Sequence, residues 1–162
     1  MLTQARLLEI LQYNPDTGIF TWIKSPRKGW IGKEAATNTS KRYLEIRIDG
    51  ILYKAHRCAW LYIHGFMPKN EIDHIDQNTH NNRIDNLREA TRFDNTHNTR
   101  TPTTNTSGIK GVYWLKKNKK WVGQVAHNGV QHYLGLFSEI EQAEQAVRLK
   151  RLELHKEFAN HG

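Results

Sequence analysis

Asp73 and His74 stand side by side, Asn86 follows the histidine by twelve residues, and Asn95 follows Asn86 by nine. A carboxylate and an amide oxygen are hard donors. Asp73 and Asn95 therefore suit a cation such as Mg²⁺, which needs few protein oxygens and keeps positions for water and a substrate phosphate. His74 is placed to activate that water. Thr91 with Asp94 three residues later predicts a helix start, which sets Asn95 in the first turn. Strand geometry adds a demand. On a regular strand Asp73 and His74 point to opposite faces, so they reach one phosphate only at a strand end, a twist or a bulge.

An isolated Asp-His pair carries little weight, because Asp, Asn and His cap turns and tolerate unusual backbone angles. The surroundings matter more. Residues 70–98 hold seven asparagines among Asp, His and Thr, too polar for a core and too poor in lysine to track phosphates.

The elements around this stretch are legible from pattern. Leu7, Leu8, Ile10 and Leu11 fall in helical register behind Thr3, and Asn14-Pro15-Asp16-Thr17-Gly18 has the turn chemistry to stop that helix. Leu44, Ile46 and Ile48 alternate with polar neighbours, and Asp49-Gly50 predicts a two-residue hairpin turn into Ile51 to Lys54. Ala55 to His64 predicts a helix, with Cys58 as a small core residue on its apolar side. Beyond a polar stretch, Thr99 to Gly108, three short strands are predicted at 112–115, 121–126 and 131–136, the last two joined by Asn128-Gly129. Ser138 with Glu141 reads as a capping box for a helix whose apolar face is Ile140, Ala143, Val147, Leu154 and Phe158. Val112, Trp114, Trp121, Val125 and Leu134 are its expected core partners. The expected fold class is α+β: a domain over 1–98 with its chemistry at about 70–98, a polar linker at 99–107, and a sheet-and-helix domain over 108–162.

Composition narrows the function classes. The 162 residues exclude a large multidomain enzyme, and a formal charge of +8 with a pI near 9.7 favours a polyanionic partner. Residues 101–137 contain five lysines and no acid, so the basicity is local. The single cysteine excludes a disulfide scaffold and a cysteine-rich zinc module, and a reducing cytosol fits best. No signal peptide or membrane-spanning run is visible, so a soluble, unprocessed protein without membrane attachment is expected. No heptad pattern or other signal of a protein partner is present.

The run Ala55-His56-Arg57, Glu71-Ile72-Asp73-His74-Ile75-Asp76, Asn81-Asn82-Arg83-Ile84-Asp85-Asn86-Leu87 and Ala90-Thr91-Arg92 to Asn95 resembles the HNH endonucleases of bacteriophage and intron type, which have a ββα-metal fold. The resemblance covers about the first hundred residues. It implies that His74 is the general base, that Asp73 and Asn95 hold a divalent metal, most simply Mg²⁺ with Mn²⁺ as the alternative, and that Asn86 supports His74 by tying the intervening loop. His56 matches a family position without an assigned catalytic role. The C-terminal fifty residues resemble the DNA-binding domain of plant ethylene-response factors, the APETALA type, through Gly108 to Gly111, Trp121, Tyr133-Leu134-Gly135, Phe137 and the helix to Phe158. That resemblance implies that Lys110, Tyr113, Leu115, Gln124, Ala126, Gln131 and Tyr133 face double-stranded DNA. The turn lysines Lys116, Lys117, Lys119 and Lys120 would meet phosphates. Tyr113, Leu115, Ala126 and Gln131 stand where plant members carry arginines, so the plant target does not transfer. Together the resemblances imply a homing or mobile-element endonuclease, acting in the bacterial host cytoplasm if phage-encoded. The alternative is a catalytically silent DNA-binding regulator on the same scaffold.

Overall fold

Thr3 Oγ1 accepts a hydrogen bond from the N–H of Arg6 and caps α1 (Gln4–Ile10). The computed structural model describes residues 2–25, 27, 29–37, 42–97, 101 and 104–161, without the side chains of Phe93, Thr96, His97 and Glu157. The helix ends earlier than its apolar pattern predicts, and Leu11 opens β1 (Leu11–Asn14). The reason is visible in burial: Leu11 and Tyr13 turn inward while Gln12 and Asn14 face solvent, a period of two that four residues of helix cannot satisfy. Asn14 to Gly18 therefore closes a hairpin rather than a helix. Asn14 Oδ1 accepts from the N–H groups of Asp16 and Thr17, and β2 (Ile19–Trp22) returns antiparallel to β1.

A second hairpin joins β3 (Glu45–Ile48) to β4 (Ile51–Lys54). Its turn residues Asp49 and Gly50 have φ of 49° and 83°, the doubly left-handed turn that matches strand twist. α2 (Ala55–His64) follows and stops at Gly65. Ala55, Cys58, Ala59 and Leu61 of α2 pack with Leu7, Leu11, Phe20, Ile46 and Ile48 into one core. Burial pushes the Cys58 thiol up to about 12, as fits a core residue and not a nucleophile. β5 (Glu71–His74) and β6 (Leu87–Ala90) then pair antiparallel, with Asp73 opposite Arg88 and His74 opposite Leu87. A single 3₁₀ turn, Ile84–Asn86, leads into β6.

The first hairpin braces the loop between β5 and β6. Tyr13 Oη donates to the Asn82 carbonyl at 2.7 Å, and the Ile84 N–H donates to the Pro15 carbonyl at 3.3 Å. Gly18 lies so close that a Cβ there would stand 2.5 Å from Arg83 N and from Asn82 C. Its φ is +74°, and that of Gly50 is +83° with open space around it. The two glycines thus separate conformational strain from a backbone clash. Gly50→Ala is expected to cost about 1 kcal/mol of stability in urea unfolding, from its left-handed backbone alone. Gly18→Ala is expected to cost about 3 kcal/mol or more, because backbone must also move. Equal losses would show that the close approach is not rigid.

The chain divides into two compact units, Met1–Ala90 and Thr91–Gly162. The second begins with α3 (Arg92–His97), where Thr91 and Asp94 form the expected reciprocal cap: Thr91 N–H and Oγ1 donate to Asp94 Oδ2, and Asp94 N–H donates to Thr91 Oγ1. Of the predicted linker, residues 99, 100, 102 and 103 lie outside the described residues. Asn105 and Ser107 form a hydrogen-bonded turn: Asn105 Oδ1 accepts from the N–H groups of Ser107 and Gly108, and Ser107 Oγ donates to the Val112 carbonyl. Three antiparallel strands follow in the order β7 (Val112–Leu115), β8 (Lys120–His127) and β9 (Val130–Phe137), then α4 (Ile140–His155). Ala143 and Val147 of α4 pack on Val112 and Val125, with Trp121, Leu134 and Phe137 at the margin. Two details differ from expectation. Trp114 is 41% exposed and meets Trp121 edge to face, because its strand lies at the sheet margin. The N-cap of α4 is Glu139, which makes no side-chain cap, so Ser138 and Glu141 do not form a capping box: β9 runs through Phe137 and leaves Ser138 in the approach. Among the described residues no helix is long and apolar enough to cross a membrane.

Candidate active site

His74 is the last residue of β5 and only 4% exposed. The register of β5 and β6 contains no shift, so no bulge turns Asp73 and His74 to one face, and the histidine stands at the strand end. The imidazole meets the His56 ring edge to face at 5.1 Å and lies 6.2 Å from the Tyr43 ring. Its Nε2 is 3.2 Å from Asn82 Oδ1. With that oxygen as acceptor, the proton sits on Nε2 and Nδ1 carries the basic lone pair. Burial lowers the His74 pKa, against the opposing influence of the Asn82 bond and of Asp73 and Asp76. The ring is thus held neutral near neutral pH, the protonation state a general base needs.

His56, buried in α2, is lowered to about 3 by burial first and by His74 next. Its Nδ1 has no hydrogen-bond partner among the described residues. Two neutral imidazoles share this wall of the site.

Asp73 leaves the strand on the other side and meets Arg88 directly across the ladder. Arg88 Nε and Nη2 both donate to Asp73 Oδ2, at 3.0 and 2.8 Å. Both side chains are largely enclosed, and the two bonds to one oxygen fix the orientation of the carboxylate.

Asn86 is buried at the 3₁₀ turn and closes the loop from three directions. Its Nδ2 donates to Asp76 Oδ1 and to the Asn81 carbonyl, at 2.9 and 2.8 Å, and its Oδ1 accepts from the Asp76 N–H at 3.0 Å. Burial pushes the Asp76 carboxyl up, but hydrogen bonds from Asn81, from the Asn78 N–H and from Asn86 outweigh it and leave the pKa lowered. The loop that begins just after His74 is therefore fixed by its own polar groups.

Asn82 and Arg88 escape sequence reasoning. Asn82 is 1% exposed, with its side chain on His74 and its carbonyl under Tyr13. No periodic signal marks such a loop residue. Arg88 had a usable signal, since a hairpin between 71–74 and 87–90 pairs it with Asp73, but that register depends on a loop whose length alone does not fix it.

Asn95 lies on α3 in the second compact unit, its N–H bonded to the Thr91 carbonyl. In the same unit the strand register places Tyr113 opposite Val122, Leu115 opposite Lys120, Gln124 opposite Tyr133 and Ala126 opposite Gln131. These side chains share the face away from α4. Tyr133, at 62%, is among its most exposed. Lys116, Lys117, Lys119 and Lys120 are all exposed at the β7–β8 turn. Lys110 is half-buried, and burial followed by the nearby Arg151 lowers it to about 8. Arg151 itself is buried and donates from Nη2 to the Lys110 carbonyl.

Comparison with known proteins bears on the first of these regions. The sequence model of the HNH endonuclease family matches residues 53–97, which contain β5, the loop, β6 and the cap of α3. Protein 3.8 of Escherichia phage T7 is 41% identical over 111 residues, 66% of this chain and 91% of the phage protein. An uncharacterized HNH endonuclease of Acanthamoeba polyphaga mimivirus is 38% identical over 106 residues, 64% of this chain and 54% of the viral protein. No solved structure matches significantly. An enclosed neutral histidine at a strand end, a loop tied by asparagines and this shared sequence all lie in one segment, and the chain carries an HNH endonuclease domain over residues 53–97, with phage and viral relatives.

Proposed function

We propose that the protein is a metal-dependent DNA endonuclease of the homing or mobile-element type, with residues 1–98 carrying the chemistry and residues 108–162 an APETALA-like module that anchors it on double-stranded DNA. The observation that carries the catalytic half is His74: neutral, oriented through Nε2 by Asn82, and flanked by a fixed carboxylate. His74 Nδ1 takes a proton from water as that water attacks phosphorus in line. Asn86 keeps the loop closed around the base, and Arg88 holds Asp73.

Asp73 and Asn95 are the residues that would hold the cation. Their donor chemistry, one carboxylate and one amide oxygen, fits Mg²⁺ or Mn²⁺ that keeps much of its water, and no group of three His, Cys, Asp or Glu suited to a protein cage exists among the described residues. When bound, such an ion supplies positive charge for the phosphoryl oxygens and the leaving oxygen. On the anchoring module, Tyr113, Gln124, Gln131 and Tyr133 would read bases, while Lys110 and the four turn lysines would meet phosphates.

Supercoiled plasmid incubated with Mg²⁺ tests the reading. Nicked or linear product that disappears with chelator is the expected result, and binding without any cleavage would overturn it. Asn82→Ala tests the orientation of the base. It removes the bond to His74 and spares the backbone bond from Tyr13, so kcat is expected to fall about 10- to 100-fold with KM unchanged. A rise in KM with kcat unchanged would remove Asn82 from the orientation of the base.

A further inference from the structure

A cavity of about 420 Å³ lies in the first compact unit, among α1, the chain that follows β2 and the tip of the β3–β4 hairpin. None of Asp73, His74, Asn82 or Asn86 lines it, so it is separate from the candidate active site. Its wall carries two indoles, Trp22 and Trp30, with ring centroids 5.8 Å apart and planes at 45°. Around them stand Arg6, Lys24, Arg27 and Arg47, with Asp49 the acid among the lining residues.

Two of these cations are already matched. Arg6 Nε and Nη2 hold the Asp49 carboxylate at 3.0 and 2.7 Å, and Lys24 pairs with Glu9 at 2.6 Å. The other two keep donor capacity. Arg27 places its guanidinium 4.8 Å over the Trp30 ring and has no hydrogen-bond or ion-pair partner for that group among the described residues. Arg47 gives one Nη1 bond to the Gly50 carbonyl and is otherwise exposed. Flat aromatic surface inside and donor-rich cations at the rim call for a ligand that is itself an aromatic ring bearing an anion. A hydrophobic peptide would strand the arginines, and a bare phosphate would leave the indoles unused.

We propose that this cavity is a nucleotide pocket that takes one unstacked nucleotide, its base against Trp30, which the buried Trp22 backs, and its phosphate at Arg27 and Arg47. The volume falls in the ordinary range for small-molecule sites, about 300–1,000 Å³. Bases of any identity stack on aromatic side chains, and an arginine over the same ring extends the stack while reaching phosphate. The source of the nucleotide rests on the endonuclease reading, under which it is an unpaired residue of a bound DNA strand. A free mononucleotide offers the same chemistry.

The test uses the full chain carrying His74→Ala, in chelator, so that no outcome depends on hydrolysis. It is titrated with dAMP, deoxyadenosine and inorganic phosphate while indole fluorescence is followed, and then with duplexes that differ only by a single unpaired adenosine. The expected result is saturable quenching by dAMP at an affinity about tenfold or more above either fragment, weakened about tenfold by adding Arg27→Ala. Arg27 is exposed, so this change leaves the fold intact. A preference for the bulged duplex that Arg27→Ala abolishes identifies the strand as the source, whereas dAMP binding without that preference identifies a free nucleotide. Phosphate binding as tightly as dAMP, or dAMP binding indifferent to both Arg27→Ala and Arg47→Ala, overturns the pocket. Failure of the nuclease reading appears separately, as an uncut plasmid with dAMP binding intact.

Discussion

Replacing His74 with alanine is expected to lower DNA cleavage about 10²- to 10⁴-fold, the usual worth of a positioned general base. The imidazole is enclosed and touches Asn82, His56 and Tyr43. Its removal therefore leaves a small cavity as well as a missing base. Those two effects separate in the measurement: a cavity lowers the unfolding midpoint, and the loss of a base lowers kcat at temperatures well below it. DNA affinity, measured in chelator, should stay within about threefold of wild type, a difference under 1 kcal/mol. A variant that cuts nearly as fast as wild type would show that another group deprotonates the water. Nucleolytic activity retained at the same level with its pH profile unchanged would make the same point independently.

The second large effect lies in the salt dependence of binding. Changing Lys116, Lys117 and Lys120 to Ala and Lys119 to Asn removes four exposed charges from the turn between β7 and β8. Asn is the better choice at Lys119, whose φ of 49° is left-handed. Each phosphate contact contributes roughly 0.9 to the slope of log K against log salt, so losing all four flattens that slope by about 3 to 4. Wild-type affinity should then fall about 100-fold more than the variant's between 50 and 200 mM salt. Gln124→Ala or Tyr133→Ala should instead change which sequences are preferred, with little change in slope. An unaltered slope in the lysine variant would assign the turn to ordinary solvated surface.

Hairpin turns were the most legible part of the fold, because Asp49-Gly50 and Asn128-Gly129 are chosen by the left-handed angles they must adopt. Helix ends were harder. Leu11 is apolar in either reading, and only the inward position of Tyr13 shows that the chain has already changed period. Ser138 and Glu141 have the right spacing for a cap, yet the strand before them runs to Phe137 and shifts the helix start by one residue. In the candidate site, Asp73, His74, Asn86 and Asn95 stood out as polar types at fixed spacing in a stretch that could not be a core. Asn82 and Arg88 did not, since their importance comes from which residue the folded loop or the partner strand brings opposite them. The cavity under Trp30 was equally invisible, being assembled from three segments far apart in sequence.

The brace formed by Tyr13, Pro15 and Gly18 on residues 82–84 has a consequence for inheritance. The segment that matches the HNH family, residues 53–97, is not a cassette that can travel alone. Any exchange between relatives whose crossover falls between residues 18 and 82 separates a hairpin from the loop it was fitted to, and the fit leaves no room for a side chain at Gly18. Viable hybrids should therefore inherit both segments from one parent, with the crossover beyond residue 90, where the compact units divide.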